Sequence, residues 1–488
     1  MKKSVTKNYI YNLIYQILII ILPLITAPYV SRILGPEKIG IYGYTLSISA
    51  YFILLGSLGT ALYGQREIAF FQNDKKKYSI TFFEIFILRT FTLAISMIIF
   101  YFCFGRHGEY AIYYRILLLE ILGNIIDISW FFQGLEEFKR TVTRNFVVKI
   151  ISVICIFIFV KTKEDLYLYY LIYIAALILG NLTLWLQLHK FLEKVKLNEL
   201  KILRHIKPII ALFVPQIAIQ VYTILDKTMI GAIIADKTEV GYYEQAQKII
   251  KILLTIEGSL GTVMMPRIAK SFAENDKETI KTYLGKSFHM AYFLAFPLIF
   301  GIIVIANAFV PLFFGAGYDK TIIIMQIISP IILFIGISGT IGHQYLLPTK
   351  KQKEYTLSVI CGCIVNVIIN GLLIYRYGAL GAAVGTVIAE FTVALVQIVI
   401  VRKELNMGKM LLLCRNYLIA SIIMFIGCKL VSIFITKRII LLVAQVFVGV
   451  VLYFGMLFIL KDEFFKEVLD KVFNLLKKGR NKSDERAN

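Results

Sequence analysis

The pentapeptide Gly56-Ser57-Leu58-Gly59-Thr60 returns unchanged 202 residues later as Gly258-Ser259-Leu260-Gly261-Thr262. Its surroundings return with it. Ile39-Gly40-Ile41-Tyr42 is answered by Val240-Gly241-Tyr242-Tyr243, and Arg66-Glu67-Ile68-Ala69 by Arg267-Ile268-Ala269, with two small gaps. Self-similarity over so long a period marks an internal duplication. Both copies lie in apolar runs, at 41–62 and 241–264, so the duplicated unit is read as embedded in a membrane.

Composition agrees. The 488 residues are 58% hydrophobic and only 17% charged, against about 45–50% and 25% in soluble domains. A water-soluble fold, a disordered chain and a secreted disulfide scaffold are excluded. Apolar runs predict fourteen transmembrane helices, near 9–30, 41–62, 80–104, 110–132, 145–160, 166–188, 208–230, 241–264, 282–311, 321–347, 355–375, 380–401, 411–434 and 439–460. The first run is expected to be a span and not a cleavable signal peptide, because it is long and leads straight into the second. The fold class is therefore an all-α polytopic membrane protein.

Six spans separate the two copies, an even number, so the copies share one orientation. That predicts two six-helix lobes in parallel pseudo-twofold repeat, an arrangement found among transporters, with two C-terminal helices outside it. The expected division is 1–207 for the first lobe and its linker, 208–409 for the second lobe, 410–460 for the last two helices, and 461–488 for a basic tail. In the linker 189–207, Lys190, Lys194, Lys196, Lys201 and Arg204 alternate with Leu197, Leu200 and Leu203, which predicts a cytoplasmic interfacial helix.

The net charge of +22 has a topological reading. Of 53 Lys and Arg, 36 fall in segments on the side of the N-terminus, 10 on the opposite side and 7 within spans. This places both termini in the cytoplasm and removes nucleic acid as a partner. The six cysteines all fall within spans. Cys361 and Cys363, two apart, point to opposite helix faces and make a poor metal pair.

Ionisable groups inside a membrane are costly and mark pathways or partners. In span 8, Glu244, Lys248, Lys251, Thr255, Ser259 and Thr262 step by three or four residues, one polar line along a helix. Gln216, Gln220, Thr223 and Lys227 form a second line in span 7. Arg89 lies deep in span 3, and Arg115 lies near the end of span 4, where its side chain could simply snorkel. The repeat aligns Ser47 and Ala50 with Lys248 and Lys251, so the shared fold does not require the two cations. They point to an anionic ligand. The candidate substrate-binding set is thus Lys248, Lys251, Arg89, Lys227, Arg115, Gln216, Gln220 and Thr223. Asp127, Glu120, Glu390 and Glu244 are candidates for charge balance or ion coupling, with Glu244–Lys248 also readable as a structural pair. His289 and His343 receive no role. No catalytic, metal or cofactor motif stands out from the apolar background, and an enzyme is not expected.

Four stretches carry a resemblance. They are Pro28-Tyr29-Val30-Ser31-Arg32-Ile33-Leu34-Gly35-Pro36 with Gly40; Asp127-Ile128-Ser129-Trp130-Phe131-Phe132-Gln133-Gly134-Leu135-Glu136; Gly241-Tyr242-Tyr243-Glu244-Gln245-Ala246-Gln247-Lys248; and the run Gly378–Gly385 ending near Glu390. In combination they resemble the Wzx-type oligosaccharide flippases, of the superfamily that also holds MATE multidrug exporters and lipid II flippases. The resemblance covers spans 1–12. It implies a twelve-helix core around a V-shaped cavity plus two helices, and turnover of an undecaprenyl-pyrophosphate-linked repeat unit from the cytoplasmic to the outer leaflet by alternating access. It also implies working beside a polysaccharide polymerase and chain-length machinery. Two rivals compete. A MATE-type cation exporter would want an acidic or apolar cavity, which Lys248 and Lys251 oppose. A membrane-embedded glycan polymerase or ligase would want a large external loop, and the longest expected one is about ten residues.

Overall fold

A computed structural model describes residues 5–471, with side chains described throughout except at 5–20, 138–143, 214–216, 218, 219, 256, 257, 259, 260, 262 and 263. In chain order the helices are α1 (Val5–Ser57), α2 (Thr60–Phe70), α3 (Lys75–Phe100), α4 (Ala111–Ile125), α5 (Ser129–Gly134), α6 (Phe138–Phe159), α7 (Leu166–Leu188), α8 (Ile206–Ile233) and α9 (Thr238–Ala273). There follow α10 (Lys277–Phe313), α11 (Asp319–Ile328), α12 (Ile331–Ser338), a π-helical turn (Gly339–Leu346), α13 (Gln352–Tyr377), α14 (Ala379–Val401), α15 (Met407–Leu412), α16 (Arg415–Phe434) and α17 (Arg438–Ile459). Among the described residues there is no strand, and ten helical stretches are long and apolar enough to cross a membrane. The protein is a multi-pass integral membrane protein.

Local chemistry explains the interruptions. α1 covers two expected spans and is broken at Gly35 (φ 74°, ψ 170°), ahead of Pro36, which donates no backbone hydrogen bond. Within the first pentapeptide, Leu58 (φ 49°) and Gly59 (φ 72°) end α1 and start α2. Span 4 is divided as well, α4 ending at Ile125 and α5 starting at Ser129, whose N–H donates to Asp127 Oδ1 at 2.9 Å.

The chain forms two compact units. The first takes residues up to Glu244 with Phe314–Gly317 and Ile374–Ala379, and the second takes Gln245–Phe313, Tyr318–Leu373 and the chain from Leu380 onward. In the first, Leu34, Ile39, Leu93, Phe100, Leu117 and Tyr170 form one apolar cluster, while Phe82, Trp130, Phe131 and Leu184 form another. Gly64 leaves room for Trp130, since a Cβ there would lie 2.5 Å from the indole. In the second unit, Phe288, Tyr292, Tyr417, Met424 and Tyr453 tie α16 and α17 to α10, and Tyr453 donates to the Phe293 carbonyl at 2.8 Å.

Within the first unit, α1 and the start of α9 cross backbone to backbone. A Cβ on Gly40 would lie 1.7 Å from the Lys237 carbonyl oxygen, and a Cβ on Gly241 would lie 2.0 Å from that of Pro36. These are the two glycines that the duplication aligns. Lys237 Nζ, just before α9, donates to the carbonyls of Gly231, Ile234 and Ala235 at 2.8–3.2 Å, closing the end of α8. Burial pushes its pKa down, against the pull of Glu109 and Asp236.

Two expectations are corrected. The segment 189–207 is not an interfacial helix: it carries only short 3₁₀ turns at Leu197–Glu199 and Ile202–His205 before α8 begins at Ile206. Side-chain bonds hold it to α3 instead. Tyr78 donates to the Phe191 carbonyl at 2.8 Å, Ser79 Oγ accepts from Glu193 N at 3.0 Å, and buried Glu84 accepts from the N–H of Lys201 and from Arg204 and pairs with His205 Nε2. Leu197 and Leu203 stay exposed. The stretch between the expected spans 110–132 and 145–160 is not a loop either, because α5 reaches Gly134 and α6 starts at Phe138. Arg144, which falls in that expected loop, therefore stands on the same helix as Lys149. Of the basic tail, 472–488 lies outside the described residues.

Candidate functional site

α6 presents Asn145, Val148, Lys149, Ser152 and Ile156 at spacings of three and four, and α7 presents Tyr169, Tyr173, Ala176, Gly180 and Asn181 on the facing side. Between them and Pro23 and Thr26 of α1 lies a cavity of about 750 Å³ in the first unit, reached also by Gln65, Asp127 and Gln133. Gly180 lines it beside Val148, where a Cβ would make an ordinary contact at 3.5 Å. Arg144 is held in place: Nη1 donates to Asn181 Oδ1 at 3.0 Å and Nε to Asn145 Oδ1 at 3.0 Å, while Asn181 Nδ2 donates to the Gly123 carbonyl at 2.8 Å. A guanidinium oriented this way, with an ammonium, amides and tyrosines around it, suits a phosphorylated ligand that also carries hydroxyls.

A second cavity, of about 400 Å³, lies in the second unit, where Leu254, Gly258, Gly261 and Met265 of α9 face the π-turn with Thr340, His343 and Gln344. Among the described residues its lining holds no lysine, arginine, aspartate or glutamate. Ser287 Oγ donates to Gln344 Oε1 at 2.6 Å. Buried amides recur deeper in the same unit. Gln397 Nε2 donates to Ser358 Oγ at 3.0 Å, and Asn370 Nδ2 to Asn366 Oδ1 at 3.1 Å.

The expected residues are distributed unevenly. Arg89 is 3% exposed. Its Nη1 donates to Thr60 Oγ1 at 2.9 Å, and Nε and Nη2 donate to the Asn124 carbonyl at 3.2 and 3.0 Å. It thus bolts the α1–α2 break to the last turn of α4. Glu120, also buried, accepts from Ser49 Oγ at 2.9 Å. Glu244 Oε2 lies 2.8 Å from Lys227 Nζ, so the pairing given to Glu244 and Lys248 includes a partner on α8. Arg115 Nε donates to the Gly105 carbonyl at 3.0 Å, and exposed Thr223 donates to the Gln220 carbonyl of its own helix at 2.8 Å. Lys248 is half-buried and Lys251 exposed on α9, and Glu390 is half-buried on α14. Gln216, Ser259 and Thr262 lie outside the described side chains.

Sequence reasoning missed Arg144, Lys149 and Gln344. A signal existed for the first two: Asn145, Lys149 and Ser152 repeat at helical spacing directly upstream of the apolar run. The run Gly378–Gly385 packs closely, as small residues in spans do. A Cβ on Gly385 would lie 2.1 Å from Asn370 Oδ1, and Glu239 Oε2 accepts from Ala379 N at 2.8 Å.

A helical membrane protein of two compact units, each enclosing a hydrogen-bonding cavity, belongs with transporters. The lipid II flippase MurJ in its inward closed conformation is similar in structure, at a TM-score of 0.69 and 17% identity over 94% of this chain and 100% of that one. An inward-facing MATE family multidrug transporter follows at 0.62 and 13% identity, covering 81% of this chain and 95% of its own. Both likenesses concern the fold. In sequence, a putative O-antigen transporter of Escherichia coli strain K12 is 26% identical over 83% of this chain and 98% of its own length. Residues 5–272 match the family model of polysaccharide biosynthesis proteins and residues 142–461 that of the lipid II flippase MurJ. Each match takes in more than half of the chain, which belongs to the polysaccharide biosynthesis protein family. The resemblance drawn from the four motifs agrees with these findings.

Proposed function

We propose that the chain is a flippase that carries an undecaprenyl-pyrophosphate-linked oligosaccharide repeat unit from the cytoplasmic to the outer leaflet by alternating access. It crosses the membrane fourteen times with both termini cytoplasmic. The O-antigen transporter relative and the polysaccharide family support this substrate class. The observation that carries it is Arg144, fixed by two asparagines beside Lys149 in a cavity among apolar helices. A pyrophosphate cannot enter hydrocarbon unaided, and a cavity with oriented cations replaces its water. Lys248 and Lys251 on α9 are assigned contacts with an anionic head group, and Asp127, Glu120 and Glu390 balance charge or carry a coupling ion. The protein works upstream of a polymerase, which uses the delivered unit.

The test is a strain lacking the gene, in which the lipid-linked repeat unit should accumulate on the cytoplasmic leaflet and wild-type chain should clear it. Each charge-assisted contact is worth about 1.5–3 kcal/mol. Arg144→Gln and Lys248→Gln/Lys251→Gln should therefore lower export by roughly ten- to a hundredfold at normal abundance. Export at the wild-type rate by both would sink the assignment. Fusion of a reporter at 195–205 should report cytoplasm. The MATE reading has fold similarity behind it, but these cations oppose it.

A further inference from the structure

The neutral cavity of the second unit has a construction that close packing does not explain. Gln344 is 6% exposed, and its Oε1 is occupied by the Ser287 hydroxyl. Its Nε2 turns toward Gly261, where a Cβ would sit 3.6 Å away. Gly258 and Gly339 border the same space, and a Cβ on either would meet nothing within 4 Å. Among the described residues, then, no neighbour presses on these glycines closely enough to require them for helix packing. The lining turn is π-helical from Gly339 to Leu346, a geometry that recurs at functional sites. It sets Thr340, His343 and Gln344 around the opening, and His343 Nε2 is 3.2 Å from the Tyr355 hydroxyl.

What such a pocket accepts follows from its groups. An amide, two hydroxyls and an imidazole both donate and accept hydrogen bonds, as sugar hydroxyls require. None of the described lining residues is ionised, so they offer an anion or a cation no counter-charge. At about 400 Å³ it is near the small end of ligand pockets, roughly 300–1,000 Å³, which suits one sugar ring better than an oligosaccharide. We propose that this cavity receives an uncharged sugar ring of the transported glycan, and that Gln344 Nε2 reads one of its hydroxyls. The assignment rests on the flippase reading and adds to it where the sugar is recognised. A site that hydrogen-bonds a hydroxyl rejects analogues lacking it, because its own buried group is then left unpaired.

Two measurements on the full chain separate this from a packing role. One is glycan export in the strain lacking the gene. The other is binding of bare undecaprenyl pyrophosphate, which has no sugar, to the purified protein in nanodiscs. Gln344→Ala and the pocket-filling Gly339→Leu should each cut export by roughly tenfold or more, the loss of about one hydrogen bond. Binding of the bare carrier should stay within about twofold of wild type. Gln344→Glu keeps the size of the side chain but exchanges the donor for a charge, and it should lose export equally at normal abundance. Variants that export at the wild-type rate would overturn the pocket alone. Loss of carrier binding in step with export would overturn it too, by showing a structural role. A wild-type chain that restores no export would overturn the flippase reading, and the sugar assignment with it.

Discussion

The two copies of Gly-Ser-Leu-Gly-Thr have the same five residues and different backbones. In the first, Leu58 and Gly59 adopt positive φ and the helix breaks; in the second, α9 runs unbroken from Thr238 to Ala273. The surroundings account for it. Gly56 lies against α3, where a Cβ would be 2.8 Å from both Leu93 and Ser96, and Thr92 Oγ1 donates to the Gly56 carbonyl at 2.6 Å. Thr60 donates to the Ser57 carbonyl at 2.6 Å and accepts from Arg89. The carbonyls of Gly56 and Ser57, freed by the break, both find hydroxyl partners, which makes the break tolerable. Gly258 and Gly261 face a cavity, so nothing draws the second copy out of the helix. One sequence thus makes a packed joint in one place and the floor of a pocket in the other. Tertiary partners decided between them.

Substitutions can break this comparison at several strengths. The largest effect should come where the copies are alike. Gly40→Ala and Gly241→Ala each place a methyl inside the contact radius of a carbonyl oxygen, and each should abolish accumulation of monodisperse protein on size-exclusion chromatography. Next is Arg89→Met, which strands Thr60 and the Asn124 carbonyl in a buried site. With hydrogen bonds to charged groups at about 1.5–3 kcal/mol, we expect a loss of about 3 kcal/mol, read as a lowered unfolding temperature in detergent. Because nothing in the second unit depends on that bolt, the Gly258 region should keep its hydrogen-exchange protection; equal loss at both copies would refute the contrast. Gly56→Ala should cost about 1–3 kcal/mol through overpacking. The smallest effect has the opposite sign. Gly258→Ala, with open space and helical backbone, should be neutral or gain up to about 1 kcal/mol, and a clear loss of stability there would mean the pocket is not open.

The helices were legible because apolar runs report the part of a helix that faces lipid or core. Such runs do not report where a helix continues into polar sequence. α6 begins among Lys139, Arg140, Thr141 and Thr143, so Arg144 fell in an expected loop with Lys149 at the edge of a span, and half of the candidate site went with them. Arg89 was found by its depth, but depth cannot tell a cavity from a helix break that needs a donor. The linker 189–207 has the composition of an interfacial helix. What it became depends on Glu84, more than a hundred residues earlier, and no local pattern carries that information. Gln344 was invisible because it acts through the π-turn, a departure from regular helical spacing.

The crossing of Gly40 and Gly241 has a consequence for how this sequence can change. Each glycine abuts the carbonyl four residues before the other, Lys237 for Gly40 and Pro36 for Gly241. This is the reciprocity of an isologous interface, residue i on j and j on i, here between a helix and its own duplicate in one chain. A mutation at either glycine meets the backbone of the other copy, which no compensating side-chain change can move aside. Elsewhere the two copies have been free to diverge, to the point that Lys248 and Lys251 stand opposite Ser47 and Ala50. At this one point of contact neither copy can drift alone, and the gene carries both glycines as a single inherited unit.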